Sequence, residues 1–179
     1  MKKILILGVA LLSITGCSLT KDMDNTPTKK VEEFLNKYQT LDEDVIDDLA
    51  EIVDKETEFS DDQKKDYKDI IKGNYQKLTY TIKDEEVDGD EATVTAEIEV
   101  IDYSKITKES NDYLKEHEKE FLTDDKYDEK LFVDYKLKKL KEAKEKVKYT
   151  IDFTLTKADG KWMLDTITEE IRNKINGKY

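Results

Sequence analysis

The sequence predicts an α+β domain in which N-terminal helices pack on one face of an antiparallel sheet. Apolar residues recur at helical spacing through 26–77, whereas several later segments alternate apolar and polar residues with period two. Asp88-Gly89 and Asp159-Gly160 each separate two alternating segments, as hairpin turns do. Clean alternation is typical of an antiparallel sheet with one covered and one wet face, and the helices provide the natural cover.

Three amphipathic helices are predicted before the sheet. Thr26 can cap the first helix, and Pro27 suits its first turn. Ser60 and Gln63 form a capping-box pattern for the third helix, and Gly73-Asn74 is predicted to end it. The predicted apolar faces are Val31, Phe34, Leu35 and Tyr38, then Val45, Ile46, Leu49, Ala50 and Val53, and finally Tyr67, Ile70 and Ile71.

Four strands are predicted, and a short C-terminal helix that Thr168 can cap follows them. The first strand presents Leu78, Tyr80 and Ile82, and the fourth presents Trp162 and Leu164. The two longer strands present Ala92, Val94, Ala96, Ile98 and Val100, and Val147, Tyr149, Ile151, Phe153 and Leu155.

A helical insertion at about 104–146 separates the second predicted strand from the third. It is rich in Lys and Glu, and its apolar stripe is thin. We therefore expect it to pack at the rim of the sheet or line an opening, and to be the least protected part of the mature domain, tolerant of deletion. Its two predicted helices carry Ile106, Tyr113, Leu114, His117 and Phe121, and then Leu131, Tyr135 and Leu140.

Three motifs resemble the nuclear transport factor 2-like superfamily, and in particular small bacterial lipoproteins with cystatin-like domains of unknown function. They are Thr26-Pro27 before an amphipathic helix, Gly89-Asp90-Glu91-Ala92-Thr93-Val94, and the hairpin from Leu155 to Trp162. The resemblance covers nearly all of 26–168 except the insertion. It implies that the sheet curves around the helices into a cone, whose interior in that superfamily is either a ligand pocket or packed solid.

The N-terminus resembles a bacterial lipoprotein signal peptide. Lys2 and Lys3 precede an uncharged apolar run at 4–12, which is too short to span a bilayer. Ile14-Thr15-Gly16-Cys17 then resembles a lipobox, which implies a signal peptide at 1–16 and lipid attachment at Cys17. The polar segment 17–25 would be a short tether to one domain at 26–179, held at the outer face of the bacterial cytoplasmic membrane. An ordinary secretory signal with an incidental Cys is the alternative.

Composition excludes several classes of function. The chain has 179 residues and a net charge of −12, which argues against a nucleic-acid partner because phosphate binding needs surplus positive charge. One Cys and one His exclude Cys-rich metal sites and most histidine-built metal centres. We expect no metal or other cofactor, and a membrane contact made through acyl chains rather than a basic patch.

The predicted function is that of a non-enzymatic binding module for an envelope protein or a small ligand. The alternative is a small-molecule enzyme or carrier that uses an apolar cone pocket. A ketosteroid-isomerase-type site would need a carboxylate and a Tyr converging in such a pocket. The residues predicted to line it are Tyr80, Tyr149, Phe153 and Trp162, together with Asp102 and Tyr103 at a strand end; all of them could equally be core.

Overall fold

The computed structural model describes residues 25–179, so the signal peptide, Cys17 and nearly all of the tether lie outside the described residues. The fold is α+β, with three helices preceding the sheet as predicted. The helices are α1 (Pro27–Thr40), α2 (Glu43–Asp54), α3 (Asp61–Lys77), α4 (Tyr103–Glu116), α5 (Glu129–Glu142) and α6 (Glu169–Ile175). The strands are β1 (Thr79–Asp88), β2 (Glu91–Ile101), β3 (Leu122–Thr123), β4 (Lys126–Tyr127), β5 (Lys146–Ala158) and β6 (Lys161–Leu164).

The helix starts follow the capping chemistry in the sequence. The Thr26 side chain accepts from the Lys29 N–H, and Ser60 and Gln63 exchange both bonds of a capping box. Gly73-Asn74 does not end α3, contrary to expectation, because the helix continues for another turn to Lys77.

The main sheet is antiparallel in the order β1-β2-β5-β6, and β3 pairs with β4 in a separate small hairpin. The period-two alternation predicts its faces correctly along β2, where every second residue from Ala92 to Val100 is buried. The opposite face carries ion pairs such as Lys148–Glu97 and Lys146–Glu99, at 3.1 and 2.8 Å. One face of the main sheet is therefore exposed to solvent, and the other is covered by helices.

The insertion between β2 and β5 lines an opening, as expected, but it also contributes to the core, which was not expected. Its low protection and its tolerance of deletion stay predictions. Helix α5 packs on α3 and buries Val133, Leu137 and Leu140 in the same apolar cluster as the sheet. Of the predicted stripe on this helix, Leu140 is buried as expected, but Leu131 is 39% exposed, whereas Val133, two residues further along, is 4% exposed. In the described structure, α3 therefore contacts α1 and α2 as well as α5 of the insertion.

Candidate functional site

The six residues predicted to line one cone pocket are not brought together. Tyr80 is half-buried near α1, where its hydroxyl donates to Asn36 Oδ1 at 3.0 Å. The Tyr149 hydroxyl donates to the Tyr179 carbonyl at 2.8 Å. Phe153 is buried in the core with its ring centroid 5.8 Å from that of Phe34.

Trp162 and Asp102 also have structural roles, and only Tyr103 among the six lies at the cavities described below. Trp162 is a buried residue of β6, and its backbone N–H donates to Asn25 Oδ1 at 3.0 Å. The Asp102 carboxylate caps α4 by accepting from the Lys105 N–H at 2.9 Å. Of the six residues, Tyr103 alone lines any of the three cavities described below, and these cavities lie outside the predicted cone.

A cavity of about 270 Å³ lies where α3, α4, α5 and the C-terminal segment meet. We call it the Lys178 pocket. Its lining comes from five separate stretches of the chain, which the packing of α5 against α3 brings together. The lining residues are Glu56, Phe59, Tyr67, Tyr103, Ser104, Thr107, Lys136, Leu140 and Lys178.

Two tyrosines form the aromatic part of the pocket. Tyr67 follows the capping box of α3, is 3% exposed, and meets Phe59 edge to face at 5.5 Å between ring centroids. Tyr103 is the first residue of α4, and its hydroxyl donates to the Ile70 carbonyl at 3.3 Å. Burial raises the pKa of Tyr103 to about 12 and raises that of Tyr67 as well, so both remain protonated donors at neutral pH.

The C-terminal segment holds Lys178 in place through a glycine that no other residue could replace without strain. Gly177 has φ +68°, and a Cβ there would overlap the Ile101 carbonyl oxygen. The Ser104 N–H donates to the Gly177 carbonyl at 2.8 Å, which fastens this turn to the first turn of α4. The position of Lys178 is therefore set by backbone contacts on both sides of it.

A buried asparagine ties the same segment to α3 and β2. Asn74 is 1% exposed; its Nδ2 donates to the Ile175 carbonyl at 3.3 Å, and its Oδ1 accepts from the Ile101 N–H at 2.9 Å. Next to it, the Tyr75 hydroxyl donates to Asn176 Oδ1 at 2.6 Å. The entire corner beside the pocket is hydrogen-bonded, which favours a single arrangement of its side chains.

The ammonium of Lys178 is only loosely paired. Its Nζ lies 3.9 Å from Glu56 Oε1 and 5.0 Å from the centre of the Tyr67 ring, and 32% of its side-chain surface is exposed. Desolvation lowers the pKa of Lys178, Glu56 opposes that effect, and the charge of Lys136 adds to it. An ionisable group with a shifted pKa in a cleft is a recognised indicator of a functional site.

Several other donors in the pocket have no hydrogen-bond partner within residues 25–179. They are the hydroxyls of Tyr67, Ser104 and Thr107 and the ammonium of Lys136. Because no fully buried side-chain N or O atom in the described part lacks a partner, these donors are accessible to solvent, and the residues that carry them line the pocket. This arrangement can bind a ligand that supplies acceptors.

A second, more open cavity of about 550 Å³ runs between α3 and α5 and shares Tyr103 and Leu140 with the Lys178 pocket. Its charges balance, because Asp66, Asp69 and Asp134 face Lys77, Lys138 and Lys141. Within the described ranges, no cluster of three or more His, Cys, Asp or Glu side chains could hold a metal ion. Among those residues, no helix combines the length and apolar character needed to cross a bilayer.

Comparisons with known protein families, with curated proteins and with solved structures find no match to this chain. The site therefore has to be interpreted from its own chemistry.

Sequence reasoning missed most of the Lys178 pocket. Tyr67 was assigned to a core stripe, and neither Lys136 nor Lys178 belongs to any recognisable motif. Gly177 was the available signal, since a Gly just after a predicted helix indicates a left-handed turn that fixes the residue following it.

Proposed function

We propose that this chain is an extracytoplasmic lipoprotein, anchored through Cys17, whose domain is a non-enzymatic module for binding a small ligand. The observation that carries the binding function is the Lys178 pocket, where donors without partners surround an aromatic wall. Ligand sites are typically concave and largely apolar, with a few polar groups that orient the ligand. The anchor rests on the sequence pattern at 1–17.

The topology supports a position of the pocket far from the end of the proposed tether. Asn25 Nδ2 donates to the Gly160 carbonyl at 2.9 Å, so the end of the tether is fixed at the β5–β6 turn. In the sheet, Glu91 pairs with Thr156 near that turn, whereas Ile101 is at the other end of β2, next to the pocket. At about 3.3 Å per residue, the length of β2 separates the two ends by roughly 30 Å. A domain tethered at Asn25 would present the pocket away from the membrane.

The nuclear transport factor 2-like cone is part of the same proposal. Its support is the order of elements, three helices followed by long antiparallel strands, and a register shift in β1 between Ile82 and Asp84 that bends this edge. The space between the helices and the sheet is filled by side chains such as Phe34 and Phe153. The proposed fold is therefore a packed cone with its ligand site beside the cone, at the insertion.

The anchor is tested by replacing Cys17 with Ala. We expect the protein to leave the membrane fraction or to remain uncleaved, because thioether lipidation needs this thiol and two acyl chains give stable anchoring. Mass spectrometry of the wild type should show a diacylglycerol on Cys17 as the first mature residue. An unmodified mature N-terminus at another position would contradict the anchor.

The binding function is tested by native mass spectrometry of the protein purified from its host in a mild detergent. We expect an adduct with the mass of a small molecule that disappears in the Tyr67→Ala variant. The Tyr80→Ala variant is the control, because Tyr80 lies outside the pocket and should retain the adduct. A bare chain, or a second protein chain in place of a small molecule, would overturn the proposed small-ligand function.

A further inference from the structure

We propose that the Lys178 pocket selects an anionic ligand, a carboxylate or phosphate attached to an apolar body about the size of one ring. This inference rests on the proposed ligand-binding function and specifies the chemical class of the ligand. It commits to a small molecule rather than to a peptide or a lipid surface.

The first argument is charge. The chain carries a net charge of −12, yet the pocket lining contains Lys136 and Lys178 against the single carboxylate of Glu56. The α3–α5 cavity is balanced, with three carboxylates and three ammonium groups. An open depression beside the β1–β2 turn contains only acidic charges, those of Glu86, Asp88, Glu91 and Asp165. The Lys178 pocket therefore has a positive lining on an acidic domain.

The second argument is the imbalance between donors and acceptors. Among the lining residues, the ammonium of Lys136 and the hydroxyls of Tyr67, Ser104 and Thr107 have no hydrogen-bond partner in the described part of the chain, and the ammonium of Lys178 is paired only with Glu56, at 3.9 Å. Elsewhere in the interior, polar side chains such as Asn74 and Gln63 are hydrogen-bonded. A ligand that completes this set must bring several acceptors, and a carboxylate or phosphate does so in one group.

The third argument is the size and surface of the remaining wall. Phe59, Tyr67, Tyr103 and Leu140 provide a ring-lined apolar surface, and the volume of about 270 Å³ is near the lower end for ligand pockets. This space admits one ring with its anionic substituent and excludes a long acyl chain. The lining contains no Arg, whose planar fork would favour bidentate pairing, so the geometry suits both planar carboxylate and tetrahedral phosphate.

Titration with small probes distinguishes a carboxylate ligand, a phosphate ligand and a neutral competitor. The protein is the full chain, purified in detergent. Backbone amide shifts by NMR would follow 3-phenylpropionate, phenyl phosphate and the neutral 3-phenylpropanamide. We expect at least one anion to bind about tenfold more tightly than the amide, because charge-assisted hydrogen bonds are much stronger than neutral ones. Whichever anion binds more tightly identifies the source.

Two lysine variants show whether the pocket provides the charge. Lys178→Met should weaken the preferred anion by about tenfold and leave the amide unchanged. Lys174→Met is the matched control, because Lys174 is on α6, pairs with Glu170 at 2.8 Å and lies outside the pocket. Tyr67→Phe, which retains the ring and removes the hydroxyl, should produce a smaller loss.

The pH dependence of ligand affinity is a measurement that would not change if Lys178 had only a structural role. Glu56, Lys136 and Tyr67 face Lys178, and burial lowers its pKa, so in the free protein the ammonium is lost at a lower pH than in an exposed lysine. Affinity for 3-phenylpropionate should therefore fall as the pH rises through this lowered pKa, and Lys178→Met should abolish that fall.

Each outcome decides one of the two claims. If the amide binds as tightly as the anions, or if no probe binds at millimolar concentration, the anionic specificity is overturned. A small molecule that co-purifies with the protein would still support the binding function in that case. If no ligand co-purifies but the anions bind through Lys178, the anionic specificity of the pocket stands and the proposed small-ligand function is overturned.

Discussion

Replacing Asn74 with Ala removes the side chain that joins α3 to β2 and to the C-terminal segment. Asn74 is 1% exposed and hydrogen-bonds the Ile101 N–H and the Ile175 carbonyl, at 2.9 and 3.3 Å. Both backbone groups would lose their partner in a place that water does not reach freely. Leaving a buried donor or acceptor unsatisfied costs about 1–3 kcal/mol each.

The expected net loss follows from two opposing contributions. Two orphaned groups cost about 2–6 kcal/mol together, and the better helix propensity of Ala returns roughly 0.5 kcal/mol. The free energy of unfolding should therefore fall by about 2–5 kcal/mol, a large part of the 5–15 kcal/mol that is typical of a domain.

Urea unfolding followed by circular dichroism measures this loss. With a slope of ~2 kcal/mol per molar urea, the midpoint should fall by about 1–2.5 M at constant slope. Asn36→Ala is the matched control, since Asn36 also accepts a side-chain hydrogen bond but at the surface, from Tyr80. We expect it to change stability by less than ~0.5 kcal/mol. Equal effects of the two variants would refute the view that Asn74 joins these elements.

Three further outcomes follow from packing and charge. Phe153→Ala should cost about 3–5 kcal/mol in urea unfolding, because the ring is 1% exposed and packs in the core. Leu137→Ala should cost about 2–4 kcal/mol, whereas Leu131→Ala on the exposed side of the same helix should cost much less. Equal losses in the two variants would contradict the contribution of the insertion to the core. A hydrogen bond from Lys148 lowers the pKa of the Glu97 carboxyl. This pair therefore stabilises the folded state fully above the ordinary carboxylate pKa, and the stabilisation is lost as the pH falls through the lowered pKa. In acid unfolding, Glu97→Gln should make the free energy of unfolding depend less on pH over this range.

Local rules predicted the elements that depend on near neighbours. The cap at Thr26, the capping box at Ser60 and the turn at Gly160 involve residues within a few positions of one another, and each is present in the structure. The alternation from Ala92 to Val100 also predicted which face of β2 is covered, because the pleat imposes period two on any strand.

Tertiary contacts decided the features that the sequence did not predict. Gly73-Asn74 has the composition of a helix end, but the amide of Asn74 bonds two backbone groups from distant segments, and α3 continues past it. On α5, several apolar stripes were compatible with helical spacing, and the position of α3 determined that Leu137 faces the core while Leu131 does not. The Lys178 pocket depends on both of these contacts, so the local signal at Gly177 indicates a turn there but not the pocket beside it.

The charge of the whole domain and the charge of the pocket act over different distances. A net charge of −12 repels an approaching anion, but at physiological ionic strength the field of exposed charges fades within ~8 Å. In the pocket, the Lys178 ammonium lies 5.0 Å from the centre of the Tyr67 ring and is partly desolvated, so its attraction for an anion is screened less than that of an exposed charge. Salt should therefore weaken the long-range repulsion more than the short-range attraction. An acidic surface is compatible with an anion site of this kind, and it discourages large polyanions, which would have to contact the surface around the pocket as well as the pocket itself.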